Sequence, residues 1–170
     1  MKYLIVVDMQ VDFISGALGS ADAAAIVPRV VDKVRSFDGK VIFTRDTHFD
    51  GYLQTREGRY LPVPHCIKDT NGWQICDELK GYATNVVDKI TFGSTELAGI
   101  LRSDGEEIEC IELCGLCTDI CVVSNAMILK AEFPEVDITV DASCCAGVTR
   151  EGHHAALGTM KTVQINVVNE

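Results

Sequence analysis

The sequence predicts a doubly wound α/β fold, a mostly parallel six-stranded sheet with helices on both faces, and three observations carry that prediction. Six apolar runs of strand length alternate with stretches of helical periodicity. The first run, Tyr3 to Val7, is apolar at consecutive positions rather than at every second one, as a strand covered on both faces requires. No internal repeat, low-complexity segment or linker interrupts the alternation, so residues 1–170 read as a single domain of ordinary size.

The first strand gives out into Asp8, with a second carboxylate at Asp12. In open parallel sheets the side chains that do chemistry lie just beyond the carboxyl ends of strands, which is where Asp8 falls; a turn or N-cap aspartate is the plainer alternative. Asp22 suits the N-cap of an amphipathic helix from Ala23 to Phe37, with Ile26, Val27, Val30, Val31 and Val34 on one face and an end near Gly39. Pro28 fits such a helix best near its start. Val41 to Thr44 is the next strand, and strand, helix, strand of this length makes a right-handed crossover.

The segment that follows is long for a compact domain, and such loops are more often functional than idle. It carries Asp46, His48, Glu57 and His65. Carboxylate and imidazole groups presented from a loop suit Zn, Mn or Fe(II), with at most four protein ligands and room left for water or substrate. The same spacing also fits a solvated loop with one histidine bonded to Asp46. Trp73 to Leu79 has the pattern of a short helix, and Asn85 to Ile90 that of a third strand with Lys89 at its end. A lysine there commonly reaches solvent. Gly93, Ser94 and Thr95 read as the cap of a helix running through Leu101.

From Ile108 the run Ile108, Ile111, Leu113 predicts a strand that stops at Gly115, and Val122, Val123, Ala126, Met127 and Leu129 resume at helical spacing. Cys121 falls where that helix starts. Free N–H groups and the positive end of the dipole there favour a thiolate, and the same N–H groups can receive an oxyanion. Val136 to Val140 as a strand, Glu151 to Met160 as a helix and Val163 to Val168 as a last strand complete the alternation.

Composition narrows the function. Hydrophobic residues make up 47% of the chain, which argues against disorder, yet no uninterrupted apolar stretch approaches the ~18–20 residues of a membrane span. Met1 and Lys2 run straight into the first strand with no small-residue cleavage site, and the eight cysteines lie inside predicted strands and helices. Both features point to a cytoplasmic, reducing setting. A net charge of −10 disfavours nucleic acid and anionic membrane as partners. A small-molecule substrate is expected, with a homo-oligomer as a possible assembly.

Asp8, Lys89 and Cys121 each follow an apolar strand, so neighbouring strands would bring them to one crevice. A lysine ammonium beside Cys121 would lower its pKa, and Asp8 could take the thiol proton and return it to a leaving amine. The N-terminal VVDMQVDF, the DTH followed by PHC, the Lys89 strand end and above all GLCTDICV resemble the isochorismatase-like cysteine hydrolases, the nicotinamidases among them most closely. The resemblance runs in order along essentially the whole chain. It implies Asp8, Lys89 and Cys121 as a triad acting through a cysteine thioester, and Asp46, His48, Glu57 and His65 as ligands of a divalent ion, zinc first and Mn or Fe next. It further implies a cis peptide between Leu116 and Cys117, with the N–H groups of Cys117 and Cys121 aimed at the oxyanion. The substrate implied is nicotinamide, hydrolysed to nicotinate and ammonia.

The chain also departs from the family pattern. Pro62-Val63-Pro64-His65-Cys66 stands where members often read Trp-Pro-x-His-Cys, leaving Phe13 and Phe92 as aromatic contacts for substrate, and Cys117 stands where alanine is expected. Two rivals compete for the cysteines: a thioredoxin-like dithiol at Cys114 and Cys117, and a structural zinc on Cys114, Cys117 and Cys121. The dithiol reading leaves Asp8, Lys89 and the histidine loop unexplained. Three cysteines across a strand end and a helix start point in different directions, which disfavours the zinc. The other five cysteines read as small buried hydrophobes, and His153 and His154 as surface or structural residues.

Overall fold

The computed structural model describes residues 1–170. Six strands form one sheet: β1 (Lys2–Val7), β2 (Lys40–Asp46), β3 (Val86–Lys89), β4 (Cys110–Leu116), β5 (Asp137–Ala146) and β6 (Asn166–Val168). Every pairing is parallel and the order is β3-β2-β1-β4-β5-β6. Between β1 and β2 lie α1 (Val11–Ile14) and α2 (Ala21–Ser36); between β2 and β3, a 3-10 turn at Tyr52–Gln54, α3 (Arg56–Tyr60) and α4 (Asp77–Lys80). Next come α5 (Thr95–Ser103), a π turn at Thr118–Val122 that leads into α6 (Val123–Glu132), and α7 (Arg150–Thr162). The chain steps outward from β1 to β2 and then, on the other side, from β4 to β5. Right-handed crossovers in opposite directions put α2 on one face and α6 on the other.

The strand order reverses between β1 and β4, and the carboxyl ends of those strands therefore border the crevice where such sheets do their chemistry. The two central strands are the most deeply covered: Tyr3, Leu4, Ile5, Val6 and Val7 of β1 and Ile111, Leu113 and Cys114 of β4 are fully buried. Gly115 lets the pair close. Its φ is +117°, and a Cβ there would lie 2.1 Å from the Val7 carbonyl oxygen. The strand thus does not end at Gly115 but passes through it to Leu116, a run the glycine disguised in the sequence.

Other boundaries moved for identifiable reasons. The second helix is capped by Ser20, whose hydroxyl accepts from the Ala23 N–H at 3.0 Å, and Asp22 sits in the first turn facing Arg150. Pro28 lies well inside α2; it and Ala24, whose carbonyl it leaves without a helical partner, are both exposed, so water can take that bond. Of the Trp73 to Leu79 stretch only the part from Asp77 onward is helical, in the helix Asp77–Lys80. Trp73 lies outside it, its indole N–H donating to Thr47 Oγ1 at 2.9 Å and its ring 3.5 Å beneath the Arg45 guanidinium. The last strand is shortened to Asn166–Val168 because Gln164 turns at φ +67°. No helix is long and apolar enough to cross a membrane.

Candidate active site

Three strand ends converge as the alternation anticipates. Asp8 follows β1, Lys89 closes β3, and Cys121 sits in the π turn after β4, two residues ahead of α6. Lys89 Nζ lies 2.6 Å from Asp8 Oδ2, 3.5 Å from Cys121 Sγ and 3.4 Å from Asp46 Oδ1, and donates to the Thr91 carbonyl at 3.2 Å. Asp8 is completely buried, with a backbone φ of +46°. Thr44, on the neighbouring β2, donates its hydroxyl to Asp8 Oδ1 at 2.7 Å. Asp8 Oδ2 faces the Lys89 ammonium and the Cys121 thiol, where it can accept a proton.

Burial sets the charges here. It would drive Lys89 toward neutrality, but the Asp8 carboxylate, with that of Asp46, outweighs it and keeps the ammonium protonated. Burial raises the Asp8 pKa, with Lys89 and the Thr44 hydroxyl opposing. For Cys121, burial and then the Asp8 carboxylate push the thiol well above its usual value, and Lys89 only partly offsets them. Desolvation therefore opposes the thiolate that a helix N-terminus would favour, and it pushes Cys121 toward the thiol form beside a carboxylate able to take its proton. The Leu116–Cys117 peptide is cis. The Cys117 carbonyl accepts from Ile120 and Val122 at 3.1 and 3.0 Å, which winds the turn, while its N–H is not used in it.

The second cluster comes from the β2–β3 connection. One ligand atom from each of Asp46, His48, Glu57 and His65 lies within 4.8 Å of all the others. The donor set fits a divalent ion on two independent grounds. His65 Nδ1 bonds the Val63 carbonyl at 2.8 Å, which leaves Nε2 as the bare nitrogen facing the cluster. His48 Nε2 is buried without a hydrogen bond: Asp46 Oδ2 is 2.9 Å away but out of line. Burial alone would lower the His48 pKa, but Asp46 and Glu57 raise it to about 9, so a proton competes with a cation for this nitrogen.

Side chains outside the predicted site residues hold this loop. Gln10, fully buried, accepts from the Asp46 N–H at 2.7 Å and donates to the carbonyls of Asp46 and Trp73, both at 2.9 Å. Asp12 Oδ2 accepts from the Cys66 N–H at 2.8 Å, pinning the residue after His65. Tyr52 sets its ring edge-on to His48 and His65, at 4.7 and 5.1 Å between centroids. Thr55 caps α3 and so fixes Glu57 in its first turn. Asn125 ties Cys121 to the chain beyond β3, donating to the Cys121 and Phe92 carbonyls at 2.8 and 3.1 Å. Asp12 and Thr55 carried local signals; for Gln10, Thr44, Tyr52 and Asn125 the partners are 4 to 63 positions away, and spacing marks none of them.

Both clusters open into one cavity of about 950 Å³. Cys117 and Cys121 contribute to its lining, as do Asp46, His48, Glu57 and His65. Phe13 lines it too, its ring 5.5 Å from that of His65, and half-exposed Phe92 stands at the rim. Tyr60 and Leu61, just before the altered Pro62 segment, line it as well. Asp8 and Lys89 stand behind the lining. His153 lies apart: its Nδ1 pairs with Thr118 Oγ1 at 2.8 Å and steadies the π turn, a structural role as expected. All eight cysteines are free, and Cys114 is fully buried with its thiol held far above its usual pKa by burial and by Cys145 and Cys144, which disfavours the dithiol reading.

The chain and its fold have counterparts. A nicotinamidase/pyrazinamidase of Mycobacterium tuberculosis is 26% identical over 187 aligned positions, spanning 99% of this chain and 98% of the relative. A pyrazinamidase of Pyrococcus horikoshii, solved in complex with zinc, is 30% identical and superposes with a TM-score of 0.85 over 99% of each chain. A nicotinamidase of Bacillus subtilis is 30% identical with a TM-score of 0.82, again over 99% of each. With the isochorismatase domain model matching residues 2–169, the chain belongs to the isochorismatase family of hydrolases.

Proposed function

We propose that the chain is a metal-dependent cysteine amidohydrolase of the nicotinamidase type, converting nicotinamide and water to nicotinate and ammonia. One observation carries the reading: Cys121, backed by the Asp8 carboxylate and the Lys89 ammonium, borders the same cavity as a two-histidine, two-carboxylate cluster. Among family relatives, those named for nicotinamide and pyrazinamide align along the full chain, and both substrates are single-ring primary carboxamides with a ring nitrogen.

In this reading Asp8 takes the Cys121 proton as sulfur attacks the carboxamide carbon, and Lys89 offsets the negative charge of the pair. The N–H groups of Cys117 and Cys121 receive the oxyanion. Asp8 then hands its proton to the departing amine, ammonia leaves, and a thioester to Cys121 remains. Asp8 next accepts a proton from the water that attacks the thioester carbon and returns it to sulfur as the C–S bond breaks, which restores the thiol and releases nicotinate. Asp46, His48, Glu57 and His65 would hold a divalent ion, zinc in the first instance, whose Lewis acidity suits a ring nitrogen. Eight free cysteines fit a reducing, cytoplasmic setting for this chemistry.

The test is ammonia release from a panel of nicotinamide, pyrazinamide and benzamide, with metal content measured on the same sample. Nicotinamide and pyrazinamide should turn over, and benzamide, which lacks the ring nitrogen, should be poor. Equal turnover of benzamide would replace this reading with a metal-independent amidohydrolase acting on another small amide.

A further inference from the structure

The cavity is larger than a single-ring amide needs. Its volume of about 950 Å³ lies near the top of the ~300–1,000 Å³ range that holds drug-sized ligands. Its buried lining sets Asp46, His48, His65 and Cys121 beside Phe13 and Leu116, and its exposed lining sets Thr55, Arg56 and Thr91 beside a group of apolar side chains. Tyr60, Leu61, Ile90, Phe92 and Val148 all line it, with exposures of 77%, 37%, 73%, 41% and 62%. Residues this apolar and this exposed, gathered at one mouth and continuous with a catalytic floor, form a surface that an apolar ligand group would cover. They come from three separate stretches: α3 and its end, the loop after β3, and the loop after β5.

The chemistry of the floor decides which part of a substrate faces outward. Asp8, which must protonate the leaving nitrogen, is completely buried and does not line the cavity. The leaving nitrogen must therefore point at the floor, where a substituent on it has no room. A substrate ring whose carboxamide faces Cys121 and whose nitrogen faces Asp46, His48, Glu57 and His65 is fixed at two positions meta to each other. The ring carbon meta to both, carbon 5 of a nicotinamide, is the one directed away from both anchors.

We propose that the apolar group at the cavity mouth is a substrate subsite, and that the protein prefers primary nicotinamides bearing a bulky apolar group at ring carbon 5 over nicotinamide itself. The proposal rests on the nicotinamidase reading above and goes beyond it by naming the substrate class. Such a group would shed water against Tyr60, Leu61, Ile90, Phe92 and Val148, and several buried carbons together change specificity by well over an order of magnitude.

The experiment compares kcat/KM for nicotinamide, 5-phenylnicotinamide and N-phenylnicotinamide on the metal-loaded enzyme. In parallel, calorimetry measures binding of nicotinamide and 5-phenylnicotinamide to the Cys121→Ala protein, which cannot turn them over. The expected result is kcat/KM about tenfold or more higher for the 5-phenyl compound, poor turnover of the N-phenyl compound, and a matching gain in affinity. Ile90→Asn and Val148→Asn, both at solvent-exposed positions, should each reduce the 5-phenyl to nicotinamide ratio severalfold. If nicotinamide is hydrolysed and the 5-phenyl compound is no better, the subsite is wrong while the nicotinamidase reading stands. If none of the three is hydrolysed, the nicotinamidase reading fails and binding decides the subsite: tighter binding of the 5-phenyl compound upholds it, equal binding overturns it.

Discussion

The two halves of the site are built on different principles. Asp8 and Lys89 are set by the sheet: each stands at or beside the end of a strand whose ladder fixes its position, and Val7 pairs with Gly115 just before the chain reaches Cys121. The cluster of Asp46, His48, Glu57 and His65 begins on the end of β2, but His48 and His65 ride on irregular chain and Glu57 on the short α3, all held by side-chain tethers from Gln10, Asp12, Tyr52 and Thr55. A ladder distributes its load over many backbone bonds, whereas each tether is a single residue. The sheet half should therefore be robust in position and sensitive only to loss of its chemistry; the loop half should be sensitive to residues that touch neither ligand nor substrate.

The largest effect is expected at the thiol. Cys121→Ala should abolish ammonia release while leaving the far-ultraviolet circular dichroism unchanged, and Cys117→Ala should stay active because only its N–H is used. An essential Cys117 with a dispensable Cys121 would overturn the assignment of the nucleophile.

Next come Lys89→Met and Asp8→Asn, each costing at least ~10²-fold in kcat, the lower end for a positioned acid–base group. The sign of the accompanying pH effect follows from charge. Lys89 favours the thiolate, so its loss raises the Cys121 pKa further and moves iodoacetamide modification to higher pH. Asp8 must be ionised to accept the proton, and burial raises its pKa, so in the wild type kcat/KM should fall with decreasing pH above the ordinary carboxylate range. An alkylation profile that ignores Lys89→Met would remove the lysine from thiolate stabilisation.

Chelation separates the halves directly. Removing a divalent ion should raise KM and lower kcat for nicotinamide together, since a ring displaced from its anchor presents its carboxamide poorly to the sulfur. Cys121 alkylation should persist, and Zn, Mn or Fe(II) should restore turnover. Normal turnover by metal-free protein would sever the loop cluster from catalysis.

The smallest effects test the tethers. Gln10→Leu strands the Asp46 N–H and carbonyl in a buried setting, a loss of about 1–3 kcal/mol in stability; it should also weaken metal affinity roughly 10–100-fold, as loss of an outer-shell partner does. Asp12→Ala, which frees only the Cys66 N–H and a loop amide, should cost about 1 kcal/mol in thermal or denaturant unfolding. If Gln10→Leu left metal affinity intact, the loop would be held by something other than its tethers.

The sequence by itself determined the alternation of strands and helices and the placing of Asp8 and Lys89 at strand ends. It also marked the four clustered residues of the loop, because each of these is a local pattern of apolar period or residue type. It mistook the extent of β4, since glycine at 115 reads as a stop unless the close approach of Val7 is known. Tertiary structure alone decided that β1 and β4 are neighbours, that Gln10, Thr44, Tyr52 and Asn125 brace the site, and that both clusters share one cavity. It also set the burial that acts on Cys121. A helix start favours a thiolate on local grounds, but desolvation depends on everything packed around the sulfur, and here burial beside a carboxylate outweighs the nearby ammonium.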